Sequence, residues 1–156
     1  ALTKQGMFEA QLMADWLVKM NISINHVFVS PFVRAQQTCL QVLKKLNTDA
    51  ITLDFITPSG DAKQVHDFID GLLSSDESLL NQKTASGLLE EQQYRLTEQP
   101  VILIVSHMPL VSYLVAEMTY GDNAPIFATA GVAQINYDAT TMQGELIRMV
   151  SPIDLC

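Results

Sequence analysis

Two short runs of branched apolar residues, each followed by a helical pattern, constrain the fold of this chain more than any other feature. The run from Pro100 to Val105 is an almost unbroken series of valine, leucine and isoleucine, as expected of a parallel strand that is covered on both faces. The run from Ile24 to Val29 is also short and apolar, and residues 35–46 then repeat apolar side chains with a helical period. Two strand-to-helix units of this kind predict an α/β fold with a mostly parallel central sheet.

The first strand-to-helix turn carries an arginine. Its sequence is Ser30-Pro31-Phe32-Val33-Arg34-Ala35-Gln36-Gln37-Thr38, and Arg34 is one of only three arginines in the chain. The unpaired backbone N–H groups and the dipole of a helix N-terminus favour an anion, and a guanidinium adds a two-pronged donor suited to phosphate oxygens. We therefore predict that Arg34 binds phosphate; the alternative is an ordinary surface arginine at a helix start.

The second strand delivers Ser106 and His107 at its C-terminal end, ahead of a helix with Pro109 near its start. Ligands of open α/β sheets bind at the carboxyl ends of the strands, so Arg34 and His107 are expected to line one pocket. By position alone, His107 is equally consistent with a histidine hydrogen-bonded in the core. The roles of the Ser30 and Thr38 hydroxyls also stay open. Each hydroxyl either reaches the pocket or ties the turn to backbone groups.

Length and charge limit the classes of function. The 156 residues, 48% hydrophobic and 17% charged, can bury one core, and no apolar run is long enough to cross a bilayer. A net charge of −8 argues against nucleic acid as a partner. The two cysteines, Cys39 and Cys156, follow no metal-binding spacing; two free thiols predict a cytoplasmic protein.

The two turn motifs resemble the histidine phosphatase superfamily, whose members carry S-P-x-x-R-x-x-Q-T after one strand and a second active-site histidine after another. The resemblance is greatest to the small phosphohistidine phosphatases of the SixA type, and it spans nearly the whole chain. It implies a phosphoglycerate mutase-like fold, a three-layer αβα sandwich, with residues 1–156 as a single domain. The other segments that carry the resemblance are 2–6, 12–17, 56–61, 105–111 and 149–152.

Three further elements follow from the residue pattern. A helix is predicted over Lys63 to Leu73, and a polar, turn-prone stretch begins at Ser74. Residues 74–99 are interpreted as a variable connection that ends in a short helix, where Arg95 pairs with Glu91 rather than with a partner protein. Period-two alternation at 130–137 and 144–150 predicts a hairpin at the edge of the sheet.

The resemblance also implies a site and a mechanism. A histidine of an R-H-G motif on a first strand attacks phosphorus, and water then hydrolyses the phosphoenzyme. Arg34 and His107 are the implied catalytic residues; with Met108 they contact the phosphate, and no metal or cofactor is implied. The sequence begins at Ala1 without that strand, so we expect an N-terminally truncated or incompletely represented protein. The alternative is a chain that natively lacks the nucleophile.

Neither remaining histidine replaces the missing nucleophile. His26 lies near the beginning of its strand, away from the carboxyl-end crevice, and His66 lies on a helix among apolar neighbours.

The expected substrate depends on whether the site has an acidic residue that can protonate a leaving group. Phosphomonoesterases of the superfamily commonly have a glutamate where this chain has Phe55, and Asp54 should point to the opposite face of an extended strand. A phosphoramidate on histidine leaves as imidazole and needs less help from an acid than an ester does. We therefore predict hydrolysis of a phosphorylated histidine of a signalling or phosphotransfer protein, with inorganic phosphate as product and a monomer as the default state. The alternatives are a small-molecule phosphomonoesterase, with Asp54 or Asp61 as the acid, and a non-catalytic phosphate-binding domain.

Overall fold

The computed structural model describes residues 2–46, 48–85, 100–119 and 124–155. Within these ranges, helices and parallel strands alternate until an antiparallel hairpin closes the chain. In chain order the elements are α1 (Lys4–Lys19), β1 (His26–Val29), α2 (Val33–Leu43), β2 (Ala50–Thr52), α3 (Ala62–Ala85), β3 (Ile102–Val105), α4 (Leu110–Met118), β4 (Val132–Asp138), β5 (Gln143–Val150) and a final 3₁₀ helix (Pro152–Leu155).

The first three strands form a parallel sheet in the order β2-β1-β3. Strand β1 lies in the middle, and its last residue, Val29, is level with Thr52 of β2 and Val105 of β3. Because the three strands are parallel and end at the same level, the loops that follow them meet at one edge of the sheet. This edge carries the two turns that the sequence singles out.

Alternating side chains of β1 create the two apolar layers that cover the sheet. Val27 and Val29 pack with α2, in a cluster that includes Ala35 and Cys39. Phe28 points to the other face and packs with residues of α3 and α4, as the period of two in a strand requires. Helices on both faces of a parallel sheet give the predicted three-layer αβα sandwich.

The C-terminal hairpin forms a sheet of its own. Strands β4 and β5 pair with each other in antiparallel register, whereas β3 has no strand partner other than β1 among the described residues. The sequence correctly predicts the hairpin but places it at the edge of one continuous sheet, which the described strands do not form. Tyr137 of β4 nevertheless belongs to the same core cluster as Phe28, Val65 and Leu110.

Helix α3 is longer than predicted. The expected end at Leu73 is wrong, because the helix continues to Ala85. The polar residues after Leu73 contain neither glycine nor proline before Gly87, so nothing in the backbone forces the helix to stop there. The rest of the predicted connection, including the short helix and the pairing of Arg95 with Glu91, lies outside the described residues. Among the described helices, none combines the length and the apolar character that a bilayer span requires.

A glycine before α3 is required by close packing. A Cβ at Gly60 would clash with the carbonyl oxygen of Phe55 and would lie 3.1 Å from that of Thr57 and 3.3 Å from Leu110. Backbone carbonyls cannot move aside as a side chain does. The turn therefore holds α3 against the core at a distance that only glycine allows.

We expect Gly60→Ala to lower the free energy of unfolding by about 1–3 kcal/mol, the usual cost of overpacking. Gly71 is the matched control, because an added Cβ there meets no atom within 4 Å and alanine favours a helix by about 0.5–1 kcal/mol. Urea denaturation of both variants measures the two effects. Equal stability of Gly60→Ala and Gly71→Ala would contradict the packing argument.

Candidate active site

The ends of β1 and β3 bring the two turns together. The backbone N–H of Ser30 donates to the carbonyl of Val105 over 3.0 Å, so the parallel pairing extends one residue beyond β1. Ser30 is fully buried at this point. The chain leaves β1 for α2 and β3 for α4 from neighbouring positions, as the position of the two motifs after their strands predicts.

Ser30 and His107 are in direct contact. The hydroxyl oxygen of Ser30 lies 2.7 Å from Nε2 of His107, and it also accepts a hydrogen bond from the backbone N–H of Phe32 over 3.2 Å. The Ser30 hydroxyl therefore has both of the roles that the sequence leaves open: it contacts the predicted pocket residue, and it ties the turn to a backbone group. Thr38 lies in the middle of α2, and no bond among the described residues joins it to Ser30 or His107.

The surroundings of His107 favour the neutral ring in the free protein. Burial lowers the pKa of His107 below its ordinary value of 6.5, because desolvation disfavours the charged form. The ring of Phe32 packs beside it with 5.3 Å between the ring centroids. A bound phosphate would supply the negative charge that this environment lacks.

Arg34 lies in the first turn of α2, four residues after Ser30. Its side chain is exposed, and within the described ranges it forms no hydrogen bond or ion pair. The N–H groups of this first turn have no partner inside the helix. An unpaired guanidinium beside a helix N-terminus is the arrangement expected of an anion site that is not filled by a carboxylate of the protein itself.

Other side chains brace the two turns. Nε2 of Gln36 donates to the carbonyl of Ser30 over 2.8 Å and to the hydroxyl of Thr52 over 3.1 Å. The hydroxyl of Ser106 donates to the carbonyl of Ile56 over 2.7 Å. Sequence reasoning missed both roles, because the bonds to Thr52 and Ile56 join segments that are far apart in the sequence.

Gln37 and Phe32 have roles of different kinds. Sequence reasoning treats Gln37 as a packing or supporting residue, and its Oε1 accepts from the backbone N–H of Leu2, which ties the start of α1 to α2. The contact of Phe32 with His107 has no signal in the sequence beyond its place in the turn motif.

Met108 follows His107 at the mouth of the site. Its side chain is 39% exposed, and the peptide bond to Pro109 is cis. Pro109 occupies the N-cap position of α4, close to the predicted early position in the helix. Met108 therefore lies between His107 and the N-cap of α4.

The other two histidines lie elsewhere. His26 is the first residue of β1, at the end of the strand opposite to Ser30. His66 is buried in α3, where Nε2 lies 2.9 Å from the hydroxyl of Tyr137 and Nδ1 lies 3.3 Å from Oε1 of Glu117. The hydroxyl of Tyr137 donates to Asp70 over 3.0 Å, so His66 is part of a polar network that joins α3, α4 and β4.

The expectation that Asp54 and Phe55 lie in an extended strand is wrong. Strand β2 ends at Thr52, and Asp54 and Phe55 lie in a turn, so the rule of alternating faces does not apply to them. Phe55 packs edge-on against Phe68, with centroids 5.6 Å apart, while Asp54 is exposed. Asp61 has a structural role, because its carboxylate accepts from the backbone N–H of Lys63 over 2.9 Å at the start of α3.

A polar cleft lies apart from this site, between α1 and α2. It has a volume of about 290 Å³ and is lined by Gln11, Asp15, Gln41, Lys44 and Lys45. Its side chains bond mainly to one another, with Gln41 accepting from Gln11 over 3.1 Å and Lys45 paired with Asp15 over 3.7 Å. We place the candidate site at the turns after β1 and β3, because the half-buried His107 and the exposed Arg34 lie there, at the carboxyl edge of the sheet. In the described part of the chain, no three His, Cys, Asp or Glu side chains are grouped to hold a metal ion.

Comparison with known proteins identifies the family. Residues 1–56 match the histidine phosphatase superfamily (branch 1). The chain is 35% identical over 156 residues to phosphohistidine phosphatase SixA of Escherichia coli K12, covering 99% of this chain and 83% of that protein. It is 32% identical to a SixA homologue of Haemophilus influenzae, with coverage of 97% and 84%.

A solved structure agrees with the sequence comparison. The protein histidine phosphatase SixA complexed with tungstate superposes with a TM-score of 0.81 at 32% identity, over 99% of this chain and 86% of that one. The shared fold and the identity over nearly the full length show that this chain belongs to the histidine phosphatase superfamily, among proteins of the SixA type.

Proposed function

We propose that this protein is a phosphohistidine phosphatase that removes phosphate from a phosphorylated histidine of another protein. The observation that carries the proposal is the placement of an unpaired arginine, Arg34, and a half-buried histidine, His107, on neighbouring turns at the carboxyl edge of one parallel sheet. Two relatives with identities of 32% and above are named as phosphohistidine phosphatase or its homologue. Tungstate, an oxyanion of phosphate-like shape, is bound by the similar solved structure.

In the proposed reaction, Arg34 and His107 act on the phosphoryl group in transit. The guanidinium of Arg34 holds two of its oxygens in a bidentate contact. His107, in its charged form, offsets the negative charge that develops as the bond to the leaving imidazole breaks. Met108, at the N-terminus of α4, contributes to the phosphate-binding surface.

The resemblance to the family assigns the nucleophile to a histidine of an R-H-G motif, and neither His26 nor His66 lies at the site. In the first step a ring nitrogen of the nucleophile forms a bond to phosphorus while the P–N bond of the substrate breaks. The electron pair of that bond stays on the leaving nitrogen, and a proton on the other ring nitrogen of the substrate lets the group leave as neutral imidazole. In the second step water attacks the phosphoenzyme and releases inorganic phosphate. Among the described residues, one edge of β3 has no strand partner, and it offers backbone N–H and C=O groups to a strand that carries such a histidine.

The polar groups near the site favour a phosphoramidate over a phosphate ester. An alkoxide leaving group needs a proton from an acid. The sequence offers two carboxylates for that role, Asp54 and Asp61. Asp61 already accepts from Lys63 at the start of α3, and Asp54 is exposed in a turn. An imidazole leaving group needs less protonation, so this arrangement supports phosphohistidine rather than a small phosphomonoester.

A protein substrate suits the surface around the site. Phe32 is 50% exposed and Val33 60% exposed on the first turn, and Met108 lies exposed on the second. Apolar side chains beside a phosphate site are of little use to a small polar ester, whereas a protein that presents a phosphohistidine can cover them. We therefore place the substrate among phosphorylated signalling or phosphotransfer proteins of the cytoplasm.

The organisation of the chain follows the same proposal. We infer a single domain, because β1, α3, α4 and β4 share one core cluster. We also propose that the protein is a monomer that presents one site.

Two substrates test the proposal. We expect the full-length chain, meaning this sequence with any residues that precede Ala1, to release phosphate from a phosphohistidine-bearing protein at a rate well above the uncatalysed blank. We expect hydrolysis of p-nitrophenyl phosphate to be much slower. A preference for the ester would favour the phosphomonoesterase alternative, and binding of phosphate without turnover of either substrate would favour a non-catalytic domain.

A further inference from the structure

The contact between Ser30 and His107 leaves only one ring nitrogen for substrate. Nε2 of His107 is 2.7 Å from the Ser30 hydroxyl, whereas Nδ1 has no hydrogen bond to any described residue. The backbone of His107 is fixed as well, because its carbonyl accepts from the N–H of Val111 over 2.9 Å in the first turn of α4. A ring held at Nε2 and at its backbone presents Nδ1 to a ligand.

Ser30 is itself fixed from three sides. Its backbone N–H donates to Val105, its carbonyl accepts from Gln36, and its hydroxyl oxygen accepts from the N–H of Phe32. It is also 0% exposed, so the hydroxyl is shielded from bulk solvent. The hydroxyl hydrogen can still rotate about the C–O bond.

We propose that Ser30 is the positioning residue of His107, and that it keeps a proton on Nδ1, facing the phosphate, in both charge states of the ring. A hydroxyl is both a donor and an acceptor. When the ring is neutral, Ser30 donates to the lone pair of Nε2 and the proton resides on Nδ1. When the ring is charged, the hydroxyl turns and accepts from Nε2–H, and Nδ1–H is still present. Alanine can do neither, and a carboxylate or an amide N–H in the same place could do only one.

This inference rests on the proposed function only for its kinetic consequence. In the reaction, His107 gains a phosphate neighbour and loses it again as product leaves, so the charge on its ring is expected to change in each cycle. A partner that serves both charge states lets the ring stay in place throughout. The orientation of the ring is itself a property of the free protein, and it can be measured without turnover.

The test compares Ser30→Ala with a matched control, Ser106→Ala. Both replacements delete one hydroxyl next to the same strand ends, but Ser106 donates to Ile56 and not to His107. In ¹⁵N-labelled full-length protein above the pKa of His107, two-bond ¹H–¹⁵N correlation spectra show which ring nitrogen carries the proton. We expect the Nδ1–H tautomer in wild type and in Ser106→Ala, and the Nε2–H tautomer, or a mixture, in Ser30→Ala.

Kinetics provide a second readout. We expect Ser30→Ala to lower kcat for phosphohistidine hydrolysis about 10-fold, less than the roughly 10²–10⁴-fold contribution of a general acid or base, with little change in KM. The loss is smaller because Ser30 acts through His107 and does not touch the substrate. We expect Ser30→Thr to recover part of the loss. The proposal is overturned if Ser30→Ala keeps the Nδ1–H tautomer, or if Ser30→Ala and Ser106→Ala reduce kcat equally. If wild type shows the predicted tautomer but no turnover, the proposed function fails and the positioning role of Ser30 stands.

Discussion

Arg34→Ala is expected to lower kcat/KM for phosphohistidine hydrolysis by about 100- to 1,000-fold, the usual loss when one donor to a transition-state oxyanion is removed. Arg34 stands in the first turn of α2 without a carboxylate partner in the described chain, so its charge is free for the substrate. The protein carries a net charge of −8, and removal of this cation leaves the approaching phosphate with less local attraction.

The variant Arg34→Lys separates the effect of positive charge from the effect of donor geometry. Arg34→Lys keeps the positive charge but loses the planar pair of donors, so we expect activity between that of wild type and that of Arg34→Ala. Arg148→Ala is the matched control, because Arg148 is an exposed arginine on β5 and its loss should leave kcat/KM unchanged. Equal effects of Arg34→Ala and Arg148→Ala would show that long-range charge, and not a contact with phosphate, accounts for the loss.

His107→Ala is expected to cause a loss of similar size, about 100- to 1,000-fold in kcat, and to change the pH dependence. Burial lowers the pKa of His107 below 6.5 in the free protein. The charged form, which we propose to be the active one, is present below that pKa and is lost as pH rises through it. In wild type, kcat/KM should therefore decline with rising pH, with a midpoint below 6.5.

The pH profile of kcat should differ from that of kcat/KM. A bound phosphoryl group favours the charged imidazole, so the decline in kcat should lie at higher pH than the decline in kcat/KM. Both declines should disappear in His107→Ala, after the acid-catalysed loss of phosphohistidine in a blank is subtracted. His26→Ala is the control, because His26 lies at the opposite end of β1; a decline that persists in His107→Ala would assign it to another group.

The sequence predicts the parts of the fold that depend on local pattern. The apolar runs of β1 and β3 and the period of α2 indicate a parallel sheet, and its carboxyl edge then places Arg34 and His107 on neighbouring turns. The end of α3 could not be predicted, because polar residues after Leu73 signal a turn only weakly when no glycine or proline is present.

The supporting contacts of the site depend on which strands are neighbours. The bond between Ser30 and His107 joins residues 77 positions apart, and it forms because β1 pairs with β3 in a register that aligns Val29 with Val105. The sequence leaves the role of Ser30 open for this reason. The turn at Asp54 could not be predicted either. Strand β2 contains only three residues and ends at Thr52, so the alternation of side chains along a strand does not extend to Asp54.

The most direct test of the proposed function is the release of ³²P-phosphate from a phosphohistidine-bearing protein by the full-length chain, measured for wild type, Arg34→Ala and His107→Ala in parallel. We predict rapid release by wild type, through a phosphoenzyme that is stable to alkali and labile to acid as a phosphohistidine is, and release near the blank rate for both variants. Release that is absent in wild type, or equally fast in all three proteins, would contradict the assignment of this site to phosphohistidine hydrolysis.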